Sequence, residues 1–339
     1  MKGHSAGQAS IDSESGDVPA TPGPPEVTEY ARLSLKDVRY LEKLKLEPML
    51  GFLTVEQERE RMRRGQTAVL TDFPVHVETF QSSACPVYII KPLNLAPELP
   101  FTFYLHGGGW VLGDIATHTR LVCELALESK AAIAFIEYPR APEHPFPAAL
   151  AACETAVKEI LENAASLGLN DHRFGFAGDS SGGNLSAALI LSALEKCLPL
   201  PACQVLLYPA IDHSHATASY KEYEHNPNLS LVTMKWFWDH YLPAPSAGAD
   251  PLASPLQAPK AVLAGFPATL LITCEYDVLR DEGEEFVARL VQAGVEVTAI
   301  RWLGSLHGFL VTESLMESSG AKLCIATIAR YLRDAYGIT

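Results

Sequence analysis

Gly178-Asp179-Ser180-Ser181-Gly182 has the spacing G-x-S-x-G, between an apolar run ending at Ala177 and a helical pattern opening near Gly182. A serine on a sharp strand-to-helix turn is exposed as a nucleophile, and flanking glycines let neighbouring chain pass close. The turn also sets Ser180 at the positive end of a helix, where N–H groups face developing negative charge. The pattern alone also fits an ordinary glycine-rich turn, so its weight comes from this context. His106-Gly107-Gly108-Gly109-Trp110 follows the strand pattern Phe101–Leu105. Such a run could be a flexible loop, but acyl transfer needs backbone donors about 3 Å from a forming oxyanion, unobstructed by side chains. The Ser181 N–H with two of the amides of Gly107, Gly108 and Gly109 would form that hole, and the sequence leaves open which two. His106 is expected to brace the loop.

A base and a residue to orient it are also needed. His307, of 11 histidines, lies just past the last strand pattern, in Leu306-His307-Gly308-Phe309, and Asp277 follows the strand pattern Thr269–Glu275. The chain order serine, acid, histidine is that of α/β hydrolases. Taken alone, His307 would read as a hydrogen-bonded loop histidine. Glu275, Asp281 and Glu282 compete with Asp277. Glu275 is expected on the strand, facing away, and Asp281 and Glu282 at a helix start, where carboxylates serve as caps. His213-Ser214-His215 lacks the companions of a metal site, and Gly178 to Gly183 lacks the Gly-Lys-Ser/Thr ending of a phosphate loop.

The elements that must hold these residues are legible as a change of period. Short apolar runs alternate with helical patterns, as in a largely parallel sheet with helices on both faces. Strands are predicted at Val75–Phe80, Val87–Lys91, Phe101–Leu105, Ala132–Tyr138, Arg173–Ala177, Gln204–Pro209, Thr269–Glu275 and Glu296–Trp302, and the main helices near 117–129, 147–163, 182–196, 280–293 and 320–335. Two earlier helices are announced by Ser34-Leu35-Lys36-Asp37 and Thr54-Val55-Glu56-Gln57, both shaped like capping boxes. Residues 1–26, rich in Gly, Ser, Pro and acidic residues, are expected to be a disordered tail. Residues 27–72 are assigned to cap helices and 73–339 to the catalytic domain. An insertion at about 212–265 carries Tyr220, Tyr223, Trp236, Phe237, Trp238 and Tyr241. It reads as an apolar helix packed on the core or, more specifically, as a lid over an apolar pocket.

Composition excludes several classes. With 339 residues and 48% hydrophobic residues the chain can build a large core. Asp and Glu number 40 against 26 Lys and Arg, a net charge of −14 that repels phosphate backbones, so nucleic acid is not an expected partner. Arg59, Arg61, Arg63 and Arg64, interleaved with Glu56, Glu58 and Glu60, read as a solvated, ion-paired helix face. Seven cysteines without a C-x-x-C pair read as buried free thiols of a reducing compartment. No secretory leader and no run of about 18 apolar residues are present, so a cytoplasmic protein without a membrane span is expected.

Taken together, the sequence resembles the hormone-sensitive-lipase-like family of α/β-hydrolase esterases over roughly residues 75–335. The blocks are His106 to Trp110, Ala141-Pro142-Glu143-His144-Pro145-Phe146-Pro147-Ala148, Gly178 to Asn184, and Asp277-Val278-Leu279-Arg280-Asp281-Glu282-Gly283 with His307-Gly308-Phe309. The resemblance implies an α/β-hydrolase fold with an eight-stranded sheet and helical cap, Ser180 as nucleophile, Asp277 as acid and His307 as base. It departs from the family pattern at Pro139-Arg140, Ser181 and Val278, none of which removes a catalytic group. The expected activity is a serine carboxylesterase acting on a hydrophobic small-molecule ester, with no cofactor or metal, and the family suggests a homodimer. Two rivals are an acyltransferase or other specialised-metabolism enzyme using the same triad, and a non-catalytic small-molecule receptor, against which the presence of His307 argues.

Overall fold

The computed structural model describes residue 3, residues 30–95 and residues 98–338. The expected tail at 1–26 therefore lies, but for Gly3, outside the described residues. Eight strands form one sheet: β1 (Val75–Gln81), β2 (Pro86–Pro92), β3 (Leu99–Leu105), β4 (Ala132–Ile136), β5 (Leu169–Asp179), β6 (Cys203–Leu207), β7 (Ala268–Tyr276) and β8 (Val297–Leu306). Their spatial order is β1-β2-β4-β3-β5-β6-β7-β8, antiparallel at β1/β2 and β2/β4 and parallel everywhere else. All eight predicted strands are present. β4 and β6 are buried at every position, which is why they read as unbroken apolar runs rather than as alternation.

Eleven α-helices lie among the described residues: α1 (Leu35–Leu44), α2 (Val55–Arg64), α3 (Ile115–Ser129), α4 (Ala148–Asn163), α5 (Ser181–Lys196), α6 (Ala218–Glu222), α7 (Leu231–Tyr241), α8 (Lys260–Leu263), α9 (Arg280–Gln292), α10 (Glu313–Met316) and α11 (Ser319–Tyr336). α3 packs on α11, α4 on α5, and α8 bridges α5 and α9. Both predicted capping boxes form. Ser34 Oγ accepts the N–H of Asp37 at 3.2 Å, and Thr54 Oγ1 that of Gln57 at 3.3 Å. No helix of the described residues is long and apolar enough to cross a membrane. All seven cysteines are free, but Cys197 is exposed, contrary to the expectation that all are buried. It sits at the left-handed cap of α5, beyond the last buried turn.

The topology fixes where chemistry can occur. β3, β5, β7 and β8 run in the same direction, so the segments after their carboxyl ends gather at one edge of the sheet, where open α/β sheets place their ligands. β3 and β5 are neighbours, with Leu105 opposite Gly178, so the glycine loop after β3 lies beside the turn after β5. Between β6 and β7 the chain leaves the sheet for a long excursion that includes α6, α7 and α8.

Candidate active site

β5 ends at Asp179 and α5 begins at Ser181, leaving Ser180 alone on the turn with φ 53° and ψ −119°. A non-glycine residue there carries strain on the order of 1–3 kcal/mol, which persists only where the surroundings over-determine it. Here the Ser180 N–H donates to Leu207 at 2.8 Å, and its carbonyl accepts from Ala210 at 3.1 Å and Asn184 at 3.2 Å. The glycines are sterically required. A Cβ on Gly178 would fall on the Gly182 carbonyl, and one on Gly182 on the Leu105 carbonyl.

His307 follows β8 directly. Its Nε2 lies 3.0 Å from Ser180 Oγ and its Nδ1 2.7 Å from Asp277 Oδ2. Asp277 is fully buried, and its Oδ1 accepts the N–H of Leu279 at 2.9 Å. The Tyr208 ring meets the imidazole edge-on at 4.9 Å. The three rival carboxylates are occupied elsewhere. Glu275 pairs with Arg32 and accepts the N–H of Gly304 at 2.7 Å. Asp281 accepts from the Ser219 N–H at 2.8 Å, and Glu282 from the Ile211 N–H at 2.7 Å. The expectation that the last two cap their own helix is corrected: they tether the excursion after β6, while Ser219 Oγ accepts the Asp281 N–H at 3.2 Å. Burial raises the Glu282 carboxyl well above the usual range.

In the glycine loop, the Gly107 N–H donates to Asp179 Oδ1 at 2.9 Å. That corrects the inclusion of Gly107 among the open donors, because its hydrogen is already committed. No acceptor within the described residues takes the N–H of Gly108, Gly109 or Ser181. Gly108 and Gly109 adopt φ of 109° and 60°, backbone that glycine reaches without a Cβ penalty. Ser181 contributes more than its amide, since its Oγ accepts the Trp110 N–H at 3.1 Å and so fixes the far end of the loop. His106 does brace the loop. It is fully buried, stacks on Tyr138 at 4.0 Å, and its Nδ1 contacts the Gly107 carbonyl at 2.9 Å.

Beneath the loop Asp179 also accepts from Tyr104 OH at 2.9 Å and faces His118 Nε2 at 3.2 Å. Burial works against charge on both partners, yet their attraction prevails: His118 is raised and Asp179 lowered.

Arg59 is the clearest residue misread from sequence. It is buried rather than solvated, with Nε 2.9 Å from the Val111 carbonyl, Nη2 3.0 Å from that of Ala141, and both Nη at 2.7 Å from Glu143. α2 thereby clamps the segment after the glycine loop to the Ala141–Ala148 block. Glu58 is likewise buried, on the Gly51 N–H at 3.0 Å and Arg61 at 2.6 Å. The helical charge spacing carries no sign of either contact. From the excursion, α7 buries Met234, Phe237, Trp238 and Tyr241. Tyr241 stacks on Trp110 at 4.2 Å, and a Cβ on Gly109 would fall within the Phe237 ring.

Residues 102–311 match the model of a family described as the alpha/beta hydrolase fold. The chain is 32% identical over 279 residues to carboxylesterase NlhH of Mycobacterium tuberculosis, covering 79% of this chain and 88% of that protein. It is 32% identical over 247 residues to an ethyl acetate hydrolase of Pseudomonas putida, covering 72% of this chain and 77% of the relative. The crystal structure of a thermostable esterase from Pseudomonas putida superposes with a TM-score of 0.85 at 33% identity, covering 93% of this chain and 99% of that one.

Proposed function

The chain belongs to the α/β-hydrolase fold family and is a hydrolase enzyme of the carboxylesterase kind, and on that premise we propose that it cleaves hydrophobic small-molecule esters through an acyl-enzyme on Ser180. One observation carries the reading: Ser180 Oγ, His307 and Asp277 stand in series at 3.0 and 2.7 Å, beside three amides that have no acceptor among the described residues. His307 Nε2 takes the Ser180 proton as Oγ attacks the ester carbonyl. Asp277 holds the tautomer in which Nδ1 carries hydrogen and balances the charge the ring acquires. The N–H groups of Gly108, Gly109 and Ser181 receive the oxyanion, each donor contributing roughly 3–4 kcal/mol in the transition state. His307 returns the proton to the leaving alcohol. Water, deprotonated by the same imidazole, then attacks the acyl carbonyl and frees the acid and Ser180.

The proximity of Trp110, Phe237 and Trp238 to the glycine loop supports an apolar, uncharged substrate with a short-to-medium acyl chain, covered by the α6–α7 excursion and the helices of 30–72 acting as a cap. A series of p-nitrophenyl esters from acetate to dodecanoate, run with and without alcohol and amine acceptors, tests this. Hydrolysis with a maximum at short-to-medium chains is expected, and product formed only with an added acceptor would mark an acyltransferase. Ser180→Ala should lower turnover by roughly 10⁴-fold and abolish labelling by a fluorophosphonate. An unlabelled parent enzyme would point instead to a receptor.

A further inference from the structure

Between α6 and α7 the excursion passes through Asn226-Pro227-Asn228. Asn226 is buried, and its Nδ2 donates to the carbonyl of Tyr276, the residue before Asp277, at 3.1 Å. Asn228 Nδ2 donates to the carbonyl of His307 at 2.7 Å. The two asparagines form one unit, because Asn226 Oδ1 accepts the Asn228 N–H at 2.9 Å. Tyr40 of α1 adds a bond to Asn228 Oδ1 at 3.2 Å.

These two carbonyls belong to the main chain on which the acid and the base are mounted. Tyr276 lies where the β7/β8 register shifts, after Cys274, so the regular ladder is interrupted just before Asp277. His307 is followed by Gly308 at φ 72°, a residue that leaves the intervening peptide plane free to turn unless something outside the strand holds it. We propose that Asn226 and Asn228 are positioning residues, and that the seating of this turn sets the Asp277–His307–Ser180 alignment. The assignment rests on the triad reading above. Neither amide bonds to a side chain of the three. Each fixes the backbone from which a side chain projects, and a misplacement of about 1 Å can cost 10²-fold in rate.

The test uses the full chain with p-nitrophenyl butyrate, reading kcat and KM separately, the rate of Ser180 labelling by a fluorophosphonate, and Tm. Asn228→Ala and Asn226→Ala should each lower kcat and labelling by about 10-fold or more with KM changed by less than about twofold. The double variant should lose less than the product of the single losses, since the two act as a unit. Asn228→Asp keeps the shape but loses the donor, and should show the same kcat loss even if the alanine variant fails to fold. A folded variant with lowered Tm but unchanged kcat and labelling overturns the assignment, leaving a purely structural turn. If the parent enzyme itself fails to label at Ser180, the triad reading falls and the assignment falls with it; labelling of the parent together with unaffected variants sinks the asparagines alone.

Discussion

The N–H of Gly107 donates to Asp179 Oδ1 at 2.9 Å, tying the glycine loop to the residue that precedes Ser180. One carboxylate thus sets the spacing between the Ser180 turn and the loop bearing the Gly108 and Gly109 amides. Asp179→Ala removes the oxygen to which Gly107 and Tyr104 both donate, together with the charge that His118 faces. Turnover should fall roughly 10- to 100-fold, within the range of a displaced oxyanion donor, and steady-state kinetics on a short-chain ester checks it. Unchanged kcat would mean that the loop holds its place without Asp179.

Gly109→Ala drives a methyl group into the Phe237 ring. Thermal unfolding should begin at lower temperature and kcat should drop roughly 10²-fold or more. Adding Phe237→Ala vacates the contested space. The double variant should recover Tm more than kcat, because φ of 60° at position 109 still burdens any side chain there.

Two buried histidines give opposite dependences on pH. Burial pushes His106 down to about 3, so below about pH 6.5 the unfolded chain binds a proton that the folded one refuses, a loss of about 1.4 kcal/mol per pH unit. For His118, burial opposes the charge but Asp179 raises it overall. Its contribution is complete below about pH 6.5 and fades as pH rises through the raised folded value. Denaturant titrations from pH 4.5 to 6.5 should show a shallower acid slope for His106→Gln than for the parent. On the alkaline side, His118→Gln should flatten the decline. A parent acid slope that His106→Gln leaves unaltered would assign it to other groups.

Arg59→Ala leaves the carbonyls of Val111 and Ala141 without their guanidinium partner. With Glu143 half exposed, a loss of roughly 2 kcal/mol is expected, together with a lower kcat because the glycine loop slackens. Arg59→Lys should recover only part of this, since an ammonium cannot span two carbonyls and a carboxylate as a planar fork does. Chemical denaturation with parallel kinetics separates the two effects.

What was legible in the sequence was local. The capping boxes at Ser34 and Thr54 need only four residues, the strands need only their apolar runs, and the Ser180 turn announces itself through glycines that steric contact requires. Pairings that close over long separations were hidden. Arg59 and Glu143 are 84 positions apart, and Gly107 and Asp179 are 72, so neither the burial of Arg59 nor the commitment of the Gly107 hydrogen leaves a mark on the neighbouring sequence. Asp281 and Glu282 misled for the same reason: a carboxylate in a first helical turn looks like a cap whether it binds its own helix or a distant strand exit. β8 reaches Leu306 rather than Trp302 because it pairs with β7 again beyond a register shift, Tyr276 opposite Leu306, and the Gly304 N–H between, at φ 66°, is taken by the Glu275 side chain 29 residues away.

The twisted torsion at Ser180 sets a direction for change in descendants of this chain. A glycine at 180 would relax the backbone and remove the proposed nucleophile in one step, so loss of catalysis could bring a gain in robustness. Lineages that turned this scaffold to mere ligand capture would then face no thermodynamic obstacle at this position. Lineages that kept turnover must instead preserve the surrounding braces that make the contorted residue tolerable.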